Sequence, residues 1–245
     1  MNSKTIYTCL TGGYDELLQP EVIDKTFDYI CFSNDIPEKQ VGVWQIREIP
    51  FETNDNSRLS RYPKILPHKV LSEYEYSVYM DANIQITSQK FYDIVNNKIE
   101  ADVLVAQVPH PFEDCVYEEI RFAFRVNKVD FIKARNQYLH LKTEGYPCHY
   151  GLYENNLIFR KHNDDLVKRI MSDWFNEYID YAKRDQFSLV FVYWKNNFKP
   201  DLFFEANQNA RNVTFLKFYE RHAAFAHPSL MKRLKQRFLS IFFPV

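Results

Sequence analysis

The stretch YSVYMDANIQI, Tyr76–Ile86, decides how this chain is to be read. Its β-branched and aromatic residues predict a strand over Tyr76–Met80, and Ile84–Ile86 resumes an extended run. Polar groups that follow directly on an apolar strand emerge at the edge of a sheet. Residues two apart in an extended chain point the same way, so Asp81 and Asn83 are expected side by side. A carboxylate beside an amide oxygen suits a hard divalent cation bridging a diphosphate. A strand end that is merely capped, with no ligand, accounts for the pair equally well.

On the N-terminal side, Thr5–Leu10, Phe27–Phe32 and Val43–Ile49 read as strands, separated by turn signals at Gly12-Gly13 and Asn34-Asp35-Ile36-Pro37. Asn54–Leu71 has helical spacing interrupted by Pro63 and Pro67, which predicts two short helices meeting near Pro67. On the C-terminal side, the pattern predicts a helix over Phe91–Ile99 and a strand over Asp102–Val108. A helix over Asp114–Val129 follows, capped by Asp114 and continued after a bend by Asp130–Leu141. Leu152–Phe159 reads as a strand. Asp164–Ala182 is a helix with Leu166, Ile170, Trp174 and Tyr178 on one face, and Asp185–Lys195 is another. Strands alternating with helices imply an α/β fold with a mainly parallel central sheet flanked by helices. The 245 residues suffice for one such domain, and neither repeat nor linker interrupts them. The expectation is a single domain over 1–228 followed by a basic amphipathic helix over 229–245.

A net charge of −1 gives no global field that favours nucleic acid. The four cysteines include no C-x-x-C pair, which points to a reduced, cytoplasmic compartment. Met1–Lys4 runs straight into a strand pattern rather than a signal peptide. No apolar run approaches the roughly 18 residues of a spanning helix, so the chain reads as soluble or peripheral. Ser229–Val245 carries four basic and no acidic residues beside Leu230, Leu234, Phe238, Ile241 and Phe242. That pattern suits either a helix on an anionic membrane surface at the inner face of the membrane or one packed on its own domain.

The first strand ends in Thr8-Cys9-Leu10-Thr11-Gly12-Gly13-Tyr14-Asp15. Ligands of doubly wound sheets sit beyond the carboxyl ends of strands. Thr8, Thr11 and Gly12 are therefore candidates to line a nucleotide, and Tyr14 to stack on it. A tight turn after an edge strand is the competing explanation.

With Arg61-Tyr62-Pro63-Lys64-Ile65-Leu66-Pro67-His68-Lys69 and YSVYMDANIQI, the chain resembles a bacterial and plant family of GT-A-fold glycosyltransferases. That family was first catalogued as a domain of unknown function and includes plant mucilage-related enzymes. His110-Pro111 leading to Asp114–Glu119, GLYENNLIFR at Gly151–Arg160, and Arg184-Asp185-Gln186 extend the resemblance in matching order over roughly residues 5–195. It implies a nucleotide-sugar donor, a UDP-sugar foremost, and a D-x-D-type motif for Mn²⁺ or Mg²⁺. Asp81 and Asn83 occupy the outer positions of that motif, Asn83 departing from it as a neutral oxygen. His222 or His227 is the third-ligand candidate, as late histidines serve in some related enzymes.

Arg58, Arg61 and Lys64 lie upstream at near-helical spacing, in reach of a diphosphate through charge-assisted hydrogen bonds, with His68 beside them. A solvated basic face is the alternative. Asp185 and Gln186 are similar to the Asp-Gln pair of retaining galactosyltransferases, which favours retention, although Asp185 also reads as a helix cap. Glu118, with Asp114 and Glu119 as alternatives, is a candidate acceptor ligand or general base. The function implied is hexosyl transfer to a glycan or lipid-linked glycan in surface polysaccharide, capsule or lipopolysaccharide synthesis. A hydrolase on glycans or lipids is the rival reading, and the chain has neither a G-x-S-x-G elbow nor an H-E-x-x-H helix. A non-catalytic sugar-binding module is the other.

Overall fold

The computed structural model describes residues 2–13 and 15–220. Tyr14, His222, His227 and the segment 229–245 lie outside them. In chain order the elements are β1 (Lys4–Cys9), β2 (Asp28–Phe32), β3 (Gln40–Val41), β4 (Trp44–Arg47), α1 (Asn56–Ile65), α2 (Pro67–Val70), β5 (Tyr76–Met80), β6 (Ile84–Ile86), α3 (Lys90–Glu100) and β7 (Val105–Pro109). They continue with α4 (Val116–Arg125), α5 (Phe131–Thr143), β8 (Tyr153–Arg160), α6 (Asp165–Asp180), α7 (Asp185–Lys195), β9 (Asp201–Leu202) and β10 (Leu216–Phe218). The chain divides into two compact units, one drawn from residues 1–109, 154–172 and 200–220, the other from 110–153 and 173–199.

The first unit holds a sheet in the order β3-β4-β2-β1-β5-β8-β7-β9 and a small β6–β10 pair. The pairs β1–β2, β1–β5, β2–β4 and β7–β9 are parallel, while β3–β4 and β5–β8 are antiparallel. This is the mainly parallel, helix-flanked α/β arrangement expected from the alternation of elements. Register separates the two faces of the sheet. Ile6 stands level with Tyr29 and Val78, and Val78 with Phe159; these join Phe91, Tyr92 and Val95 of α3 in one apolar cluster. Tyr7 stands level with Tyr79 on the other face, with Ser77 and Arg160 as the next pair of that face. That second face is aromatic and cationic, and the end of α1 packs on it.

The proline reading of 54–71 holds. The backbone leaves the helix at Leu66, directly before Pro67, because the proline ring disfavours helical conformation in the residue preceding it. Pro63 is accommodated inside α1. Asp55 caps α1 by accepting from the Ser57 and Arg58 amides.

In the second unit, Val116, Ile120 and Phe124 of α4 meet Ala134, Tyr138 and Leu141 of α5 and Phe187, Val190 and Phe191 of α7. Asp130 caps α5 through the Ile132 and Lys133 amides. The α4 boundaries differ from expectation at both ends. Cys115, not Asp114, is the capping residue, and Asn127 at φ +62° ends the helix early by turning its chain left-handed. Asp102, at φ +51°, likewise delays the strand expected from 102 until Val105.

Candidate functional site

In the first unit, β1 and β5 are parallel neighbours, so Asp81 and the turn after Cys9 both emerge at their carboxyl ends. Residues 81–83 form a turn rather than an extended run, closed by the Ile84 amide on the Asp81 carbonyl at 3.0 Å. The alternation that would set Asp81 and Asn83 side by side is therefore absent, and the two side chains take separate partners. Asn83 donates its amide to the Tyr219 carbonyl at 2.8 Å, tying β6 to the end of β10. Its amide oxygen is buried and has no hydrogen-bond partner among the described residues.

Asp81 Oδ1 accepts from the Tyr79 hydroxyl at 2.8 Å and lies 3.6 Å from Lys64 Nζ. The Lys64 side chain is only 3% exposed and its ammonium sits 4.7 Å from the centre of the Tyr79 ring. A buried ammonium needs an anion, and Asp81 supplies one. Burial pushes the Tyr79 hydroxyl well up, the Asp81 charge pushes it further, and Arg61 opposes both. Arg61 and Lys64 also act against the burial that raises the Cys9 thiol, so both cations bear on the corner formed by Cys9, Tyr79 and Asp81.

Lys64 is held from behind. Its carbonyl, one of the last in α1 and thus lacking an intrahelical donor, accepts from the Tyr7 hydroxyl at 3.2 Å. The Tyr7 oxygen in turn accepts from Arg160, a fully buried guanidinium that also reaches Met171 Sδ at 3.3 Å. Burial raises the Tyr7 hydroxyl far above its ordinary value and Arg160 only partly offsets this, so the hydroxyl keeps its proton.

The remaining candidates of this unit fall in different places. Thr8 points into the apolar side of the sheet and is buried, its Oγ1 without a hydrogen-bond partner. Thr11 donates to the Asn56 carbonyl at 3.0 Å. Gly12, at φ +71°, donates to Asp35 Oδ2, and a Cβ there would stand 2.4 Å from Asn56 Nδ2. The close approach of the turn to the start of α1 is thus what requires glycine. His68 faces the Ser172 hydroxyl at 3.5 Å, and burial lowers its pKa to about 4, with Lys69, Arg160 and Lys168 adding to the shift. It is neutral at pH 7 and is no cation for a diphosphate.

Among the described residues no group of three or more His, Cys, Asp or Glu side chains is placed to hold a metal ion. The Asp81 carboxylate already takes an ammonium and a phenol on the same oxygen, and Asp35 is bonded to the Gly12 amide. A divalent ion on Oδ1 would face the Lys64 ammonium already paired with that oxygen. The described residues do not fit a divalent cation.

The second unit gathers the other candidates. Arg184 occupies the capping position of α7 without a side-chain cap bond, so Asp185 is the first helical residue and not the cap. Asp185 is buried, and its carbonyl accepts from the Trp174 indole at 3.0 Å. Gln186 accepts from Arg184 and donates to the Tyr153 carbonyl at 3.4 Å. Arg184 also donates to Glu119 at 3.1 Å, and Glu119 is 3% exposed. Burial raises the Glu119 carboxyl, against the pull of Arg184. Glu118 stands on the outer side of α4, paired with Arg121 at 2.8 Å. Helical phase explains the difference, since neighbours along a helix point about 100° apart. Asp114 pairs with His149 at 2.6 Å, which raises the His149 pKa.

The sequence reading did not single out Tyr7, Tyr79 or Arg160, nor the pair of buried Glu154 with Arg211 at 2.5 Å. One signal was available for Arg160, a charge closing the apolar run Leu157–Phe159.

Residues 3–220 match the family model described as TOD1/MUCI70, glycosyltransferase-like domain. The chain is 24% identical over 226 residues to a protein of Arabidopsis thaliana named alkaline ceramidase TOD1, an alignment covering 76% of this chain and 47% of that protein. The chain thus spans about half the length of that curated relative. Among solved structures, a WbbM bifunctional glycosyltransferase in its apo form is similar with a TM-score of 0.45 and 10% identity, over 96% of this chain and 44% of that one. Mouse xyloside xylosyltransferase 1, also apo, gives 0.43 and 9%, over 80% and 83%.

Proposed function

Since the chain belongs to the TOD1/MUCI70 glycosyltransferase-like family, we propose that it transfers a sugar from a nucleotide-sugar donor, a UDP-sugar, to a glycan or lipid-linked glycan of a surface polysaccharide. The observation that carries this reading is the charged corner at the carboxyl ends of β1 and β5, where Lys64 and Arg61 bear on Asp81 and Tyr79. Parallel α/β sheets bind ligands outside those strand ends, and fixed cations there suit a diphosphate. In the turn after β1, Gly13 at φ +60° has open space around it and lets backbone approach a base. Retention at the anomeric carbon is proposed from the resemblance of Asp185-Gln186 to the pair in retaining galactosyltransferases.

Among the described residues no helix is long and apolar enough to cross a membrane. Placement at the inner face of a membrane is proposed from the composition of 229–245 alone. The test is a panel of nucleotides and UDP-sugars in calorimetry, followed by donor turnover with oligosaccharide acceptors and NMR of the product anomer. Binding of UDP and its sugars over other nucleotides is the expected result. A chain that binds no nucleotide refutes the reading. The name of the Arabidopsis relative favours one second reading, hydrolysis of a lipid amide, which release of fatty acid from ceramide by the same preparation would establish.

A further inference from the structure

An ammonium of the chain itself stands beside Asp81, 3.6 Å from its Oδ1. We propose that Lys64 and Arg61, and not a metal ion, neutralise the donor's diphosphate, with Asp81 serving to seat Lys64. The proposal rests on the nucleotide-sugar reading above and gives it a charge mechanism.

Three observations converge on it. Asp81 Oδ1 is committed twice, to the Tyr79 hydroxyl at 2.8 Å and to Lys64 Nζ at 3.6 Å, and the neighbouring Asp35 carboxylate is bonded to the Gly12 amide. Asn83 is turned into the clip to Tyr219 by the 81–83 turn, and its free amide oxygen is neutral and buried. Most telling, Lys64 is braced and not merely present. The Tyr7 hydroxyl bonds its carbonyl at 3.2 Å, and Arg160, fully buried, bonds that hydroxyl. Arg160 also faces the Tyr7 ring at 6.0 Å and Met171 Sδ at 3.3 Å, and none of these partners is anionic. A second fixed positive charge therefore lies behind the first, buried on the same face of the sheet.

Two cations and a braced backbone make an anion site whose charges are in place before a diphosphate arrives, so that only the ammonium has to turn. A metal at the same place has the opposite requirement, because it must draw its charge balance from carboxylates. The two arrangements respond in opposite ways to loss of the Asp81 charge. In a metal site that loss abolishes nucleotide binding. In a lysine site it removes a competing anion, and the ammonium gains by turning to the phosphate.

The experiment is calorimetric titration of the full chain with UDP, once in EDTA and once in Mn²⁺, for the parent and three variants. For the parent, the two dissociation constants are expected to agree within about threefold. Asp81→Asn, which keeps an acceptor for Tyr79, is expected to bind UDP at least as tightly as the parent in EDTA. Lys64→Met is expected to weaken binding about tenfold or more, the worth of a charge-assisted contact. Because Lys64→Met leaves the half-buried Asp81 carboxylate without its ammonium, the double variant Lys64→Met with Asp81→Asn keeps the region neutral. It is expected to fold as the parent does and still to bind weakly.

Binding that tightens more than about tenfold with Mn²⁺, and is lost in EDTA and in Asp81→Asn, overturns the proposal while leaving the nucleotide-sugar reading intact. Undiminished binding by the folded double variant likewise overturns it. Absence of UDP binding in both media refutes the proposal and the reading together.

Discussion

Replacing Tyr7 by Phe removes one oxygen and leaves the ring where it is, with edge contacts to Phe32 at 6.1 Å and Tyr79 at 5.4 Å. The lost oxygen does two things. It accepts from the buried Arg160 guanidinium, and it donates to the Lys64 carbonyl at 3.2 Å. A hydrogen bond to a charged group is worth about 1.5–3 kcal/mol and a neutral one about 0.5–1.5, so Tyr7→Phe should destabilise by about 2–4 kcal/mol. Urea unfolding measures it. With a slope of about 3 kcal/mol per molar for a chain of this size, the midpoint falls by about 1 M. Arg160→Met on its own leaves the hydroxyl without its donor. The double variant leaves no charge stranded, so it should be more stable than the sum of the single losses predicts. A midpoint shift under about 0.2 M, or losses that simply add, would show that the Arg160–Tyr7 contact contributes nothing and that Lys64 is held by other means.

Asp185→Asn should lower turnover strongly at nearly unchanged UDP affinity, because the change keeps shape and removes only the charge; turnover near the parent's value removes Asp185 from the chemistry. Buried His162, bonded through Nε2 to the Leu71 carbonyl at 2.9 Å, has its pKa lowered by burial to about 4. A base whose folded pKa is depressed contributes stability above its unfolded pKa and loses it as pH falls. Between pH 6.5 and about 4 the protein should therefore lose about 3 kcal/mol through this residue, and His162→Gln should flatten that slope; parallel profiles for parent and variant would refute it. The four cations of 229–245 predict adhesion to anionic vesicles at about 1 kcal/mol each, lost when the segment is deleted. An intact chain that fails to sediment with such vesicles sets that idea aside.

What the amino-acid sequence determined by itself was the order and kind of the main elements, because those depend on local chemistry. Tyr76–Met80, Ile84–Ile86 and Asp185–Lys195 stand where their patterns put them, and the chain breaks before Pro67 because a proline ring allows little else. Asp81 at a strand end was legible for the same reason. Short elements were not. β9 and β10 have 2 and 3 residues, too few to show a period, and β10 exists through its pairing with β6.

Only the tertiary structure decided what the candidate residues touch. Arg160 meets Tyr7 across 153 positions of chain, and Asn83 meets Tyr219 across 136. Both contacts depend on strand register, which sets the face each side chain takes and which no local pattern records. The same holds for Asp81 and Lys64. Sequence places a carboxylate and a lysine near one sheet edge, but their meeting follows from α1 ending over the Tyr79 ring. The choice between Glu118 and Glu119 was likewise a matter of helical phase against Arg184, and a shift of one residue along α4 separates an exposed ion pair from a buried one.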